Sequence, residues 1–161
     1  MIPSLIETHL RESHRGYEHH THRTAMSAQE LAAAEHVSGH RVAKPVVVSL
    51  DGLIAFAVVA ATDRVSLAAL EEATGRPAEL VAESEFTPRF EPCEAGAEPP
   101  FAMFGVPIFV DEVLLQERKL VMPAGTHEDA VVLDTGEWMR CEGVTPIAGL
   151  GMASARSEFG G

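Results

Sequence analysis

The chain has 161 residues, of which 46% are hydrophobic and 22% are charged, and its formal net charge at pH 7 is −12. This length suits one ordinary domain, and no apolar run is long enough to predict a membrane span. The acidic charge excludes a broad basic footprint and argues against a DNA-binding protein. Acidic and basic residues balance only in the first 44 residues, which hold seven of the eight histidines. Any contact with nucleic acid is therefore expected to be small and to use this N-terminal side.

The cysteines and the N-terminal residues bear on the compartment. Cys93 and Cys141 are the two cysteines, and they lack the spacing of a CxxC motif or of a disulfide framework. The first residues show no basic region followed by an apolar one, as a secretory signal would. Together these features predict a cytoplasmic protein.

The N-terminal half alternates helical and strand patterns. Apolar spacing predicts helices over residues 4–15, 28–35 and 67–74, and strands over residues 17–22, 41–50 and 53–61. Ser27 and Glu30 form a capping box in which Glu30 is expected to reach back to the amide of Ser27. Asp51-Gly52, between two apolar strands, predicts a tight hairpin.

The C-terminal half is less regular. Residues 79–104 hold four prolines and predict an irregular segment, and further strands are expected at residues 106–110, 119–122 and 130–133. A short helix is predicted over residues 135–140. After Pro146 the pattern has no periodicity, so we expect one domain over residues 1–147 and a flexible tail over residues 148–161. Because strands and helices do not alternate strictly, the fold class is predicted to be α+β.

Two segments predict a binding site. Lys44 lies in a run of Val and Ala, where burial of its ammonium is costly, so it either reaches solvent or faces a polar cavity. The Gly-x-x-x-Pro loop over residues 96–100 brings rigid backbone close to whatever occupies that cavity. We interpret the pair as a site for an anionic or ester-bearing ligand. The plainer alternatives are a lysine that reaches solvent from the strand end and an ordinary surface loop.

These segments, in this order, resemble the YbaK/ProX family of aminoacyl-tRNA deacylases, which also occurs as the editing domain of bacterial prolyl-tRNA synthetases. The matching motifs share their order along the chain. They are Tyr17 with His22, residues 27–32, residues 36–44, Asp51-Gly52, residues 63–65, residues 96–101, Gly105, Val110-Asp111 and residues 124–127.

The resemblance implies a single α+β domain with a mixed, barrel-like sheet and flanking helices. It implies hydrolysis of the ester of a mischarged tRNA, such as Ala- or Cys-tRNA(Pro), at the acceptor end, with prolyl-tRNA synthetase as a possible partner and no metal or cofactor. Lys44 matches the family's lysine and is the candidate catalytic residue. The candidate substrate-binding residues are His22, Gly96, Ala97, Pro100, Gly125 and His127.

The chain departs from the family at Pro45, where many members carry Thr, Ser or Asn. Loss of that polar group and of a backbone donor favours a rival interpretation, a non-catalytic module that binds an aminoacyl or nucleotide ligand. No Gly-x-Ser-x-Gly elbow or Cys/His signature supplies a nucleophile, which suits a reaction assisted by the substrate's own ribose hydroxyl or a bound water. A second rival is a metal-dependent hydrolase, because His20 and His22 would share one strand face.

Overall fold

The computed structural model describes residues 1–153, which form five α-helices and ten β-strands. The helices are α1 (Ser4–Ser13), α2 (Ala28–Glu35), α3 (Leu67–Thr74), α4 (Glu83–Phe86) and α5 (Thr135–Glu142). The first five strands are β1 (Glu18–Thr21), β2 (Ala43–Leu50), β3 (Leu53–Ala60), β4 (Asp63–Val65) and β5 (Ala78–Leu80). The others are β6 (Ile108–Asp111), β7 (Lys119–Pro123), β8 (Asp129–Asp134), β9 (Thr145–Ile147) and β10 (Gly151–Ala153). Each helix within residues 1–153 is too short or too polar to cross a membrane.

Helix starts follow the predicted caps. The Ser27 hydroxyl accepts a hydrogen bond from the Glu30 amide at 3.1 Å, and the Ser66 hydroxyl does the same for Ala69. The return bond of the capping box differs by one residue, because Glu30 Oε1 accepts from the amide of Met26 at 2.7 Å rather than from Ser27. The predicted ranges of α2 and α3 are confirmed.

The central sheet is mixed, with strand order β5-β2-β3-β6-β9. Strands β2 and β3 form the predicted hairpin, in which Leu50 pairs with Leu53 across Asp51-Gly52. Both turn residues have positive φ, 52° and 89°, as a tight two-residue hairpin requires. The β3–β6 and β6–β9 pairs are parallel, whereas the β2 pairs are antiparallel.

The predicted barrel-like closure of the sheet is wrong, whereas the α+β class is confirmed. A second sheet has strand order β1-β8-β7, and β4 pairs separately with β10. The central and second sheets meet at one parallel bridge, Val42 to Val121. Beyond that bridge β2 carries Pro45 and β7 ends at Pro123, and proline cannot donate a ladder hydrogen bond. The two sheets therefore separate instead of closing.

Two apolar cores lie on opposite faces of the central sheet. The larger core packs that sheet against α1, α5 and the second sheet, and its largest fully buried side chains include Phe56, Phe90, Phe101 and Trp138. The smaller core packs the other face against Leu70 of α3 and includes Leu150.

Regular structure continues past the expected domain end at residue 147. Strand β10 pairs with β4, in a register that sets Gly151 opposite Val65. A Cβ at Gly151 would lie 2.5 Å from Asp111 Oδ2, so a glycine suits this close approach. The remainder of the expected tail, residues 154–161, lies outside the described residues.

Candidate functional site

A small cavity lies where the two sheets separate. Its volume is about 60 Å³. The wall is formed by the start of β2, the segment before α2 and the two loops around residues 96 and 127. The lining residues are His22, Ala25, Met26, Ser27, Ala28, Leu31, Ala43, Lys44, Pro45, Gly96, Ala97, Pro123, Thr126, His127 and Asp129.

His22 contributes a ring nitrogen that lacks a partner. Its Nδ1 lies 2.6 Å from the carbonyl oxygen of Arg23. Because a carbonyl only accepts, Nδ1 carries the proton in the neutral ring and Nε2 is left as an acceptor. That Nε2 atom is buried, and it has no hydrogen-bond partner within residues 1–153. His22 lines the cavity, so after a small shift of its ring this acceptor is a candidate partner for a ligand's hydroxyl, ammonium or water.

Lys44 lines the cavity, but its ammonium is already engaged. Side chains alternate along a strand, so Lys44 leaves β2 on the face of Val46 and Val48, opposite Ala43. Its Nζ donates to the carbonyl oxygen of Asp63 at the start of β4. Burial lowers the pKa of Lys44, and the nearby Asp63 carboxylate partly offsets that effect.

The two loops of the cavity wall are joined by backbone hydrogen bonds. The Gly125 amide donates to Ala97 O at 2.8 Å, and the Glu94 amide donates to Gly125 O at 2.8 Å. The His127 amide donates to Glu94 Oε1, also at 2.8 Å. This network holds the Gly-x-x-x-Pro loop against the loop that carries His127.

Gly96 is favoured by its backbone conformation. Its φ is 86°, and a Cβ there would lie 3.2 Å from Glu83 Oε2 and 3.7 Å from His127 Cε1. The Gly96 amide donates to Glu98 Oε2 at 3.1 Å. Burial raises the pKa of Glu98, although its hydrogen bonds to backbone amides act the other way.

Asp129 is an anionic group in the wall that the sequence did not single out. Its buried carboxylate accepts from Thr126 Oγ1 at 2.6 Å and from the Met1 amino group at 2.8 Å, and it lies 2.6 Å from His19 Nε2. Burial works to raise the pKa of Asp129, but these hydrogen bonds outweigh it and the net pKa is lowered. Asp129 follows the matched motif at residues 124–127 by two positions, which is the only signal that could have drawn attention to it.

The structure brings five of the seven predicted site residues to the cavity. They are His22, Lys44, Gly96, Ala97 and His127. Pro100 lies behind the wall, where its carbonyl oxygen accepts from Trp138 Nε1 at 3.0 Å. Gly125 is buried against α1, since a Cβ there would lie 2.7 Å from Pro3 Cδ.

The predicted zinc alternative at His20 and His22 is not assembled. His20 lies 2.6 Å from Glu35 Oε1, and His22 bonds to backbone. Within residues 1–153, one group of three possible metal ligands converges, and it consists of His9, His14 and Glu142, away from the cavity. Burial works to raise the pKa of Glu142, but hydrogen bonds from both rings and from the Ala102 amide lower it to about 2.

The chain belongs to the aminoacyl-tRNA editing domain family, whose model matches residues 22–141. This match confirms the resemblance drawn from the sequence.

 Every lining residue, from His22 to Asp129, falls within the matched range.

Two solved structures share the fold over nearly their whole length. The first, the hypothetical protein APE2540, has a TM-score of 0.82 and 19% identity, with 91% of this chain and 99% of that chain covered. The second is described as a candidate trans-editing enzyme for prolyl-tRNA synthetase, with a TM-score of 0.77, 19% identity and coverage of 91% and 98%. At these identities the likeness shows the fold alone. None of the curated proteins compared with the chain matches it.

Proposed function

We propose that the protein is a trans-acting aminoacyl-tRNA deacylase that hydrolyses the ester of a mischarged tRNA, with Ala- or Cys-tRNA(Pro) as the substrate class. The observation that carries the proposal is the small cavity lined by His22, whose Nε2 has no hydrogen-bond partner among the described residues, inside the range that matches the editing-domain family. A cavity of about 60 Å³ is small, and we expect it to accommodate a small amino-acid side chain better than a large one.

The proposed chemistry needs a water, a proton acceptor and a group that stabilises the oxyanion. The water oxygen bonds to the ester carbonyl carbon while its proton passes to an acceptor, either His22 Nε2 or the neighbouring ribose hydroxyl. The tetrahedral intermediate then breaks its bond to the ribose oxygen, which receives the proton that the acceptor took from the water. The products are the free amino acid and uncharged tRNA.

Lys44 is proposed to position the ester as a point charge on the carbonyl oxygen or the terminal phosphate. Its bond to the Asp63 carbonyl oxygen must then exchange for a bond to the substrate. The loops around Gly96 and His127 are proposed to shape the pocket for the aminoacyl group.

The first test is deacylation of a panel of mischarged tRNAs by the wild type and by Lys44→Ala. We expect hydrolysis of one small aminoacyl ester and a loss of about 100-fold or more in the variant. Lys119 is the other lysine of the chain and is exposed, so Lys119→Ala is the matched control and should retain full activity. Equal activity of Lys44→Ala and Lys119→Ala would remove Lys44 from the mechanism.

His22 is tested in the same assay. If Nε2 accepts the proton, His22→Ala should lower kcat by about 100-fold and flatten the pH dependence of the rate. His40→Ala changes an exposed histidine outside the cavity wall and is the control. A lower rate with an unchanged pH profile would assign the proton to the ribose hydroxyl instead.

A second candidate function is a non-catalytic module that binds an aminoacyl or nucleotide ligand. Two observations favour it: Pro45 lines the cavity without an amide hydrogen, and the Lys44 ammonium is bonded to Asp63. Binding of a non-hydrolysable aminoacyl-adenosine by a wild type that deacylates no ester would support this function. Pro45→Thr, which restores the residue type common in the family, should then gain deacylation.

The acidic surface predicts weak intrinsic affinity for tRNA, because few phosphate contacts are available. We propose that a synthetase, prolyl-tRNA synthetase in the first instance, presents the acceptor end, and that the protein acts in the cytoplasm where tRNA is charged. The pair should co-purify in the presence of mischarged tRNA. Deacylation at an unchanged rate with and without the synthetase would show that no partner is needed.

A further inference from the structure

Three side chains that can ligate a metal ion converge where α1 meets α5. His9 lies on α1, His14 directly follows that helix, and Glu142 is the last residue of α5. The Nε2 atoms of His9 and His14 lie 2.6 and 2.5 Å from the same carboxylate oxygen, Oε2 of Glu142. Residues far apart in the sequence thus direct two imidazoles and one carboxylate to a single point.

This cluster is shielded from solvent. The side chains of His14 and Glu142 are 0% exposed and that of His9 is 19% exposed. A buried carboxylate is costly unless positive charge or hydrogen bonds compensate it. Among the described residues, the ion pairs of Glu142 are made with these two rings alone.

The second ring nitrogen of His14, Nδ1, also bears on whether this cluster binds a metal ion. This atom is buried and has no hydrogen-bond partner in the described part of the chain, while Glu137 Oε1 lies 4.0 Å away. A metal-bound histidine usually directs its other N–H toward a carboxylate of this kind. A contact of 2.5 Å between His14 Nε2 and Glu142 Oε2 has a hydrogen between the two atoms, and a metal ion that takes the place of that hydrogen would leave the N–H of Nδ1 directed toward Glu137.

We propose that His9, His14 and Glu142 bind one divalent transition-metal ion, for which Zn²⁺ is the representative. Two imidazole nitrogens, one carboxylate oxygen and one open position form a recognised zinc donor set. Ligand atoms of a tetrahedral zinc site lie about 3.4 Å apart, so each ring must move outward by about 0.8 Å from its present contact. His9, which is 19% exposed, is the ligand with the most room to move.

The ion would join three parts of the fold. Glu142 Oε1 accepts from the Ala102 amide at 2.7 Å, and Trp138, on the same helix, donates to Pro100. Both bonds hold the segment that leaves the Gly-x-x-x-Pro loop. A bound ion would therefore fasten α1 to α5 and to this segment. The proposal does not depend on deacylase activity, since none of the three ligands lines the cavity.

The test uses the full chain without an affinity tag, after treatment with a chelator. Calorimetric titration with Zn²⁺ should show one ion per chain, and Co²⁺ should give the intense visible absorption of a tetrahedral site. Glu142→Gln keeps the shape and an acceptor for Ala102 but loses the charge, and it should weaken binding by about 100-fold or more. The thermal midpoint of the wild type should rise with Zn²⁺ concentration.

His20→Gln is the matched control, because His20 also contacts carboxylates, those of Glu18 and Glu35. It should bind Zn²⁺ like the wild type. If Glu142→Gln does not fold, His9→Gln replaces a partly exposed ring, leaves the His14 contact in place and should show the same loss. No binding by the wild type, or equal binding by wild type and folded variants of the cluster, would overturn the proposal in favour of a purely hydrogen-bonded cluster. Loss of binding in His20→Gln would place the metal elsewhere.

Discussion

Cys93 and Cys141 differ in burial, and this difference sets their reactivity. Cys93 is 5% exposed, and burial together with the Glu98 carboxylate raises its thiol pKa to about 12. Cys141 is exposed on α5. Because the thiolate is the reactive form, we expect one thiol to react with a thiol reagent in the folded protein at mildly alkaline pH, and two after denaturation. Cys141→Ser should abolish the reaction of the folded protein, and a rapid reaction in that variant would contradict the prediction.

Gly125 is a residue whose backbone and surroundings both require glycine. Its φ is 97°, and a Cβ would lie 2.7 Å from Pro3 Cδ and 3.1 Å from Ile6 Cδ1. Gly125→Ala should therefore lower the free energy of unfolding by about 3 kcal/mol, measured by urea denaturation. Gly143→Ala is the control, because its φ of 63° is also positive but no atom of the described residues lies within 4 Å of the added Cβ. We expect a loss of about 1 kcal/mol there; equal losses would mean that the contact with α1 adds nothing.

At the scale of elements, the stability of α5 depends on the residue that caps its N-terminus. Asp134 Oδ1 accepts a hydrogen bond from the Glu137 amide at 2.9 Å and caps the helix that carries Trp138 and Glu142. Asp134→Ala should cost about 1 kcal/mol of stability in denaturant titration. Asp134→Ser supplies another good cap and should recover most of that loss. If both variants lose the same amount, the cap is not the source of the effect.

The cavity lies where β2 and β7 do not pair with each other. In the part of the chain that the structure describes, Val42 and Val121 form the one bridge between the two sheets, and Pro45 and Pro123 follow on either side. Each proline removes a backbone donor at the point where a parallel ladder would continue. The same local chemistry thus explains both the open sheet and the place of the proposed binding site.

At the scale of the whole molecule, Asp129 joins distant segments and gives the fold an acid-sensitive point. It contacts His19 of β1, Thr126 of the preceding loop and the Met1 amino group. Its pKa is lowered in the folded state. The stability that it contributes is therefore complete above the pKa of the unfolded carboxyl, about 3.9, and is lost as the pH falls through the lower folded pKa.

Asp129→Asn should consequently be less stable than the wild type at neutral pH and lose less stability on acidification. Denaturant titrations over a series of acidic pH values measure this difference. Asp51→Asn alters an exposed carboxylate at a positive φ that asparagine tolerates, and it should follow the wild-type pH profile. Parallel profiles for Asp129→Asn and the wild type would show that Asp129 does not supply the acid sensitivity.

Local signals allowed several elements to be predicted from sequence. Ser27 and Ser66 define the starts of α2 and α3, and Asp51-Gly52 defines the hairpin, because capping and turn chemistry act within a few residues. The strand β10 was missed because its partner, β4, is remote in sequence and its own residues carry no strand periodicity. The prediction of a barrel-like sheet was wrong because closure depends on contacts between sheets, which local sequence patterns do not report.

The candidate site, too, could be predicted from the sequence only in part. The order of the motifs, from His22 through Lys44 to Gly96 and His127, was sufficient to identify the family, and that conclusion needed no coordinates. Only the tertiary structure decided that His22 Nε2 has no partner within residues 1–153, that the Lys44 ammonium turns to Asp63, and that Asp129 enters the cavity wall. Short-range hydrogen bonding, turn geometry and motif order depend on residues that are close in sequence, so they can be predicted from it. Burial, charge pairing and the meeting of His9, His14 and Glu142 arise only when remote segments pack together, because desolvation and contact depend on the whole surroundings of a group.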